Sequence, residues 1–199
     1  MMKSKIKLGA VLLAAGRSKR MGMPKLALPF DEKRTFLEVI TAGYLNFGCR
    51  EIVVVVNEEN QRLVDASKTT DSRIKIVVNE HPEWQRFYSV QLGLNSVNPG
   101  NSVFIHNIDN PFVDNALLQK MAESLSNDSY VVPVCRGHGG HPILLSSFIV
   151  HKIVNASGHS NHLKTFLSGY QRINVKTENA KILININTME GFRKFKQLP

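Results

Sequence analysis

The run Val11-Leu12-Leu13-Ala14-Ala15-Gly16-Arg17-Ser18-Lys19-Arg20-Met21-Gly22-Met23-Pro24-Lys25 sets an apolar stretch against a glycine and four cationic side chains. A strand that stops at such a loop brings backbone N–H groups and cations together around an anion. Gly16 and Gly22 let backbone approach a ligand closely. Arg20 suits two phosphate oxygens at once, Lys25 acts as a point charge, and Pro24 stiffens the chain ahead of it. The spacing matches neither Gly-x-x-x-x-Gly-Lys-Ser/Thr nor Gly-x-Gly-x-x-Gly. An ordinary basic surface turn is the plain alternative to a phosphate loop. A second polar cluster, Asn107-Ile108-Asp109-Asn110-Pro111, follows another apolar run.

These residues need elements to hold them. Leu8–Ala14 reads as a buried strand, Phe36–Phe47 as a helix stopped by Gly48, and Ile52–Val56 as a second strand. Residues 58–67 read as a polar helix with Leu63 and Val64 inward, Ile74–Val78 as a strand, and 84–96 as a helix with Val90, Leu92, Gly93 and Leu94 inward. Val103–His106 and Tyr130–Val134 read as strands on either side of an amphipathic helix over 114–125, for which Asp114 is the N-cap candidate. Ile143–Leu145, Ile173–Val175 and Ile182–Ile184 read as short late strands, and Glu190–Phe195 as a terminal helix. The alternation predicts an α/β fold with a doubly wound, mainly parallel sheet in one domain over residues 1–199. Ligands in such folds bind beyond the carboxyl ends of the strands. Gly16 and Asp109 both stand there, so the expectation is one shared crevice.

Composition narrows the partners. The chain carries a formal net charge of +9, and nine Lys/Arg against two acids fall within residues 1–34. The surplus therefore surrounds the opening loop. The loop lacks the interleaved aromatics of a base-stacking surface, so a compact phosphorylated small molecule is expected rather than nucleic acid. Cys49 and Cys135 form no disulfide framework, which predicts a cytoplasmic protein. No apolar run reaches the roughly 18 residues of a membrane helix. Lys3, Lys5 and Lys7 before Leu8–Ala15 have the look of a leader peptide, but the apolar run is short and strongly basic sequence follows.

The run Leu13-Ala14-Ala15-Gly16-x-Ser18-x-Arg20-Met21-Gly22-x-Pro24-Lys25 resembles the signature of the MobA-like nucleotidyltransferases, in the molybdenum cofactor cytidylyltransferase branch. Asn79 with Trp84, Ile108-Asp109-Asn110-Pro111, Gly140-His141-Pro142 and Asn185-Ile186-Asn187-Thr188 resemble later family segments in the family's order. The resemblance implies a Rossmann-like, three-layer αβα fold of the nucleotide-diphospho-sugar transferase type. It implies transfer of CMP from CTP, with GTP less favoured, to a phosphate on molybdopterin, and a molybdenum hydroxylase apo-enzyme as partner. Leu13, Ala14 and Ala15 would line the base site; Gly16, Ser18, Arg20, Gly22 and Lys25 would hold the triphosphate. Arg20, Lys25 and Asp109 would be catalytic. Asp109, with Asn187, would bind Mg²⁺, and Trp84, Ser89, His141 and Asn187 would meet the acceptor.

The departures fall on the acceptor side. Gln85-Arg86-Phe87-Tyr88-Ser89-Val90 keeps Ser89 but lacks the family's glycine, and Asn110 replaces its Gln or Met. Asn185 and Asn187 stand where the cytidylyltransferase branch has acids, and Ser157-Gly158-His159-Ser160-Asn161 lacks a further acid. A non-catalytic cofactor-binding factor and a transferase for a sugar or alditol phosphate are the rival readings. The spacing of Cys135, His138 and His141, with His159 and His162, has zinc-ligand residue types but no knuckle.

Overall fold

The computed structural model describes residues 6–18, 20–65, 71–81, 83–157 and 162–197. Lys3, Lys5, Lys19 and the segment 158–161, with the missing acid and His159, lie outside the described residues.

Four apolar runs form the parallel heart of one sheet: β1 (Leu8–Ala14), β2 (Ile52–Val56), β3 (Ile74–Val78) and β4 (Ser102–Asn107). They stand in the order β3-β2-β1-β4, with β1 parallel to both neighbours. Side chains alternate between the two faces of a strand. Ala10, Leu12 and Ala14 of β1 join Ile52, Val54 and Val56 of β2 in one apolar cluster, and Val11, Leu13, Val53 and Val55 join the opposite one. Burial on both faces explains why these strands are continuously apolar.

The sheet continues through β5 (Ser129–Cys135), β6 (His138–Gly139), β7 (Ile143–Leu145) and β8 (Gln171–Lys176). β7 is antiparallel to both β4 and β5, and β8 is parallel to β5. Tyr130 pairs with Leu145 and Arg172, and Val134 with Gly139 and Lys176. β6 and β7 therefore share one edge of β5 and β8 takes the other.

Helices cover both faces. α1 (Phe36–Phe47), α4 (Asn115–Ser124) and α7 (Met189–Lys196) pack into the first cluster; α3 (Gln85–Asn95), α5 (Ser147–Val154) and α6 (Leu163–Leu167) pack into the second. α2 (Glu58–Asp65) adds Val64 to the first. The result is the expected three-layer αβα arrangement. Thr35 and Glu38 form a reciprocal capping box that starts α1, and Gly48, at φ 98°, ends it. A Cβ on Gly93 would come within 2.5 Å of Val11 Cγ1, so only glycine lets α3 lie this close to β1.

Two expectations change. Ile182–Ile184 is not a strand: Ala180–Leu183 makes a 3-10 turn. Both edges of β5 are already paired, and the carbonyls of Lys181 and Ile182 are taken by Asn110 Nδ2 and the His141 N–H. Leu63 is exposed, leaving Val64 as the inward residue of α2. The Gly-rich stretch between β5 and β7 is a hairpin, turned at Arg136 (φ 51°) and Gly137 (φ 82°), that adds β6. Both helices between β7 and β8 went unread in the sequence, although Ser146 caps α5 by accepting from the Ile149 N–H.

Candidate functional site

The chain runs outward from β1 through β2 to β3, then returns to place β4 on the other side of β1. That reversal opens a crevice at the carboxyl ends of β1 and β4, where such sheets bind ligands. It holds about 290 Å³, and the end of β1 and the loop after it contribute Leu13, Ala14, Ala15, Gly16, Ser18 and Lys25 to its lining. Asn79, Gln85, Arg86, Ser89 and Asn107–Asp109 complete the lining.

The β1 loop is fastened by its carbonyls. Ile108 N–H donates to Leu13 O, Asn60 Nδ2 to Ala14 O at 2.7 Å, and Asn57 Nδ2 to Ala15 O at 3.1 Å. Asn57 Oδ1 in turn accepts from the Asn60 N–H. Neither asparagine stood out in the sequence; the available signal was a polar pair placed directly after the all-valine end of β2. Asn79, 1% exposed, donates to Ser89 Oγ at 2.9 Å and accepts from the His81 N–H. It thereby ties the end of β3 to the first turns of α3.

The three described loop cations part ways. Lys25 follows Pro24 into a 3-10 turn and enters the crevice. Its Nζ donates to Asn187 Oδ1 at 2.5 Å and lies 3.4 Å from Asp109 Oδ2. Arg17 turns to a neighbouring hollow lined by Glu58, Glu59, Glu80 and Glu83. Arg20 is exposed and, like Gly22 (φ 68°), is absent from the crevice lining. Lys19 is outside the described residues.

Asp109 is held by its neighbours. Its backbone carbonyl accepts from the Ile186 N–H at 2.8 Å. Asn110, fully buried, reaches the carbonyls of Lys181 and Ile182. His106, also fully buried, bonds Asn110 O through Nε2 at 2.7 Å and Tyr44 Oη through Nδ1 at 2.8 Å. A carbonyl only accepts, so Nε2 carries the proton and the tyrosine donates to Nδ1. Burial pushes the His106 pKa down to about 4, so the ring is neutral at ordinary pH. Asp114 caps α4 by accepting from the Leu117 N–H, which leaves Asp109 free of capping duty.

Asp109 Oδ1 is buried without a hydrogen-bond partner among the described residues. Carboxylate oxygens rarely remain so. Among the described residues no three His, Cys, Asp or Glu side chains gather as a metal set, so the Cys135, His138 and His141 spacing does not become a zinc site there. A single carboxylate suits Mg²⁺, which keeps several waters and takes its other oxygens from substrate phosphates.

The acceptor candidates divide. Ser89 lines the crevice. His141 lies behind it: Asn107 Nδ2 meets His141 Nε2 at 2.9 Å, while Asn107 Oδ1 accepts from Arg86 at 2.5 Å. Burial first, and the Arg86 charge second, lower the His141 pKa to about 4. Gly140 lets this segment pass beside the 3-10 turn, where a Cβ would lie 2.4 Å from Ile182 O. Trp84 stands one residue outside the lining and stacks on His81 at 3.9 Å, with Tyr88 edge-on. Asn187 reaches the site through Lys25. No helix among the described residues is long and apolar enough to cross a membrane.

The MobA-like NTP transferase domain family matches residues 10–174. The molybdenum cofactor cytidylyltransferase of Escherichia coli K12 is 29% identical over 182 residues, 92% of each chain. The bifunctional enzyme IspD/IspF of Wolbachia pipientis wMel is 25% identical over 193 residues; the match spans 90% of this chain and 48% of that protein. The crystal structure of Rv0371c from Mycobacterium tuberculosis superposes with a TM-score of 0.80 at 20% identity, covering 96% of this chain and all of that one. At that identity the likeness speaks for the fold.

Proposed function

The chain belongs to the MobA-like NTP transferase family and is a nucleotidyltransferase of that type; from that premise we propose that it transfers CMP from CTP to a phosphate of molybdopterin, releasing pyrophosphate. The observation that carries this is the meeting of Lys25, Asp109 and Asn187 in the crevice at the ends of β1 and β4. Similarity to the E. coli cytidylyltransferase over nearly the whole chain supports the choice of nucleotide and acceptor.

No side-chain nucleophile is required, because the acceptor's phosphate oxygen attacks the α-phosphorus. The work of the protein is positioning and charge stabilisation. Leu13, Ala14 and Ala15 give the base an apolar wall whose carbonyls are already engaged. Gly16 presents open backbone to the phosphates; a Cβ there would meet no protein atom within 4 Å. Lys25 neutralises charge that develops on the triphosphate, and Asn187, bonded to its ammonium, aims it. Asp109, through its unpartnered Oδ1, is the residue to hold Mg²⁺. When bound, the ion offsets phosphate charge and orients the triphosphate. Arg20 can serve the phosphates only by swinging inward from its exposed position.

A second reading keeps the nucleotide half and replaces molybdopterin by a sugar or alditol phosphate. The similarity to IspD/IspF and the altered acceptor segments support it. The experiment for both is transfer of label from α-labelled CTP into each acceptor with Mg²⁺ present. Label in molybdopterin supports the first, and label in an alditol phosphate alone supports the second.

A further inference from the structure

Two negatively charged phosphates must meet beside Asp109, itself a carboxylate. The cations among the crevice-lining residues are Lys25 and Arg86. Lys25 is already bonded to Asp109 and Asn187, on the side of the β1 loop. Arg86 stands in the first turn of α3, a different element from the β1 loop, and also lines the crevice. We infer that Arg86 binds the attacking phosphate of the acceptor, with Asn107 and His141 as the positioning residues that aim it. The inference rests on the nucleotidyl-transfer reading above.

The geometry is directional. A guanidinium has only donors, so the atom of Asn107 facing Arg86 is Oδ1. That turns Asn107 Nδ2 toward His141 Nε2, which accepts at 2.9 Å and leaves the ring proton on Nδ1. His141 is in turn fixed by its own N–H on Ile182 O. Asn107 sits opposite Leu13 in the parallel register, so the relay is anchored in the sheet rather than in a loop. Asn107 occupies one of the five guanidinium N–H groups, and the remaining fork can take two oxygens of a phosphate. In the reaction the acceptor oxygen forms a P–O bond to the α-phosphorus. The α–β bridging P–O bond breaks, and its electron pair leaves with pyrophosphate. Arg86 exchanges no proton; it offsets the repulsion between the two phosphates and keeps the attacker on the side opposite the leaving group.

Steady-state kinetics with CTP, Mg²⁺ and molybdopterin test this on wild type, Arg86→Ala, Arg86→Lys and Asn107→Ala. Arg86→Ala should raise the acceptor KM by about 10–100-fold, the scale of a lost charge-assisted contact, with the CTP KM within about threefold. Arg86→Lys should recover part of the loss. Asn107→Ala should raise the acceptor KM with kcat little changed, whereas damage to the fold would depress kcat and raise both KM values. An unchanged acceptor KM in Arg86→Ala, or a rise confined to CTP, overturns the inference. Trp84 is the chain's one tryptophan and lies two residues from Arg86, so its fluorescence gives a readout free of turnover. With a non-hydrolysable CTP analogue bound, inorganic phosphate should change Trp84 emission in wild type and not in Arg86→Ala; an equal response in both overturns the inference. Failure of wild type to bind the CTP analogue is a different result, and it removes the nucleotidyl-transfer reading itself.

Discussion

Lys25 Nζ lies 3.4 Å from Asp109 Oδ2, joining residues 84 apart in sequence across the mouth of the β1–β4 crevice. Both side chains are mostly buried, at 16% and 18% exposure. The sheet makes the pair: Leu13 and Asn107 are register partners, so the loops that leave β1 and β4 start side by side. Attraction between such charges is less screened than at an open surface.

Lys25→Met should lower kcat by about 10²–10³-fold, the cost of losing one preorganised charge at a phosphoryl centre. CTP binding measured by calorimetry should weaken much less. An unchanged kcat with weakened CTP affinity would show that Lys25 serves ground-state binding alone.

Asp109→Asn should leave the fold in place, because the loop is held by backbone and by Asn110 and His106 rather than by the Asp109 carboxylate. Turnover should be lost, and Mn²⁺ binding to the nucleotide complex, read by electron paramagnetic resonance, should weaken by about tenfold or more on removal of the one carboxylate. Retained metal affinity would take Asp109 out of the metal role.

The parallel core was legible because burial on both faces forces unbroken apolar runs, and β1, β2 and β3 have the bounds read from Leu8–Ala14, Ile52–Val56 and Ile74–Val78. Asp114 could be picked as the α4 cap from its type and position alone. What failed depends on long-range partners. Ile182 and Ile184 have strand-forming side chains, but no strand edge was left for them. Arg17, Arg20 and Lys25 look alike in sequence, and only the fold separates the crevice cation from one facing glutamates and one facing solvent. At the polar end of β4 the cluster opening at Asn107 was legible, whereas the role of His106 was not: a buried polar side chain ending an apolar strand needs partners, and here it bonds Tyr44 and Asn110.

Stability should depend on pH through the buried histidine. His106 stays neutral in the fold down to about 4, whereas an unfolded chain protonates it near 6.5. Between these values the unfolded state binds more protons, so stability rises with pH. The contribution is fully present above about pH 6.5 and falls as pH drops toward 4, by up to about 1.4 kcal/mol per pH unit. Urea midpoints from pH 7.5 to 4.5 should show this, and His106→Gln should reduce the slope by about one proton. An unaltered slope in the variant would contradict a neutral native His106.

Gly140→Ala should destabilise by about 1–3 kcal/mol, since the new methyl meets Ile182 O and the 3-10 turn must move. That shift carries the His141–Asn107 contact with it. Thermal unfolding together with the acceptor KM checks both consequences. An unchanged midpoint would mean the two segments separate at no cost.

The central claim is that this crevice joins a nucleoside monophosphate to a phosphate-bearing acceptor, and pyrophosphate release measured over a matrix of nucleotides and acceptors tests it most directly. With Mg²⁺, CTP and molybdopterin should release pyrophosphate at a rate exceeding that with GTP by about tenfold or more, a difference of about 1.4 kcal/mol in transition-state binding. No pyrophosphate from any nucleotide with any phosphorylated acceptor would contradict the account.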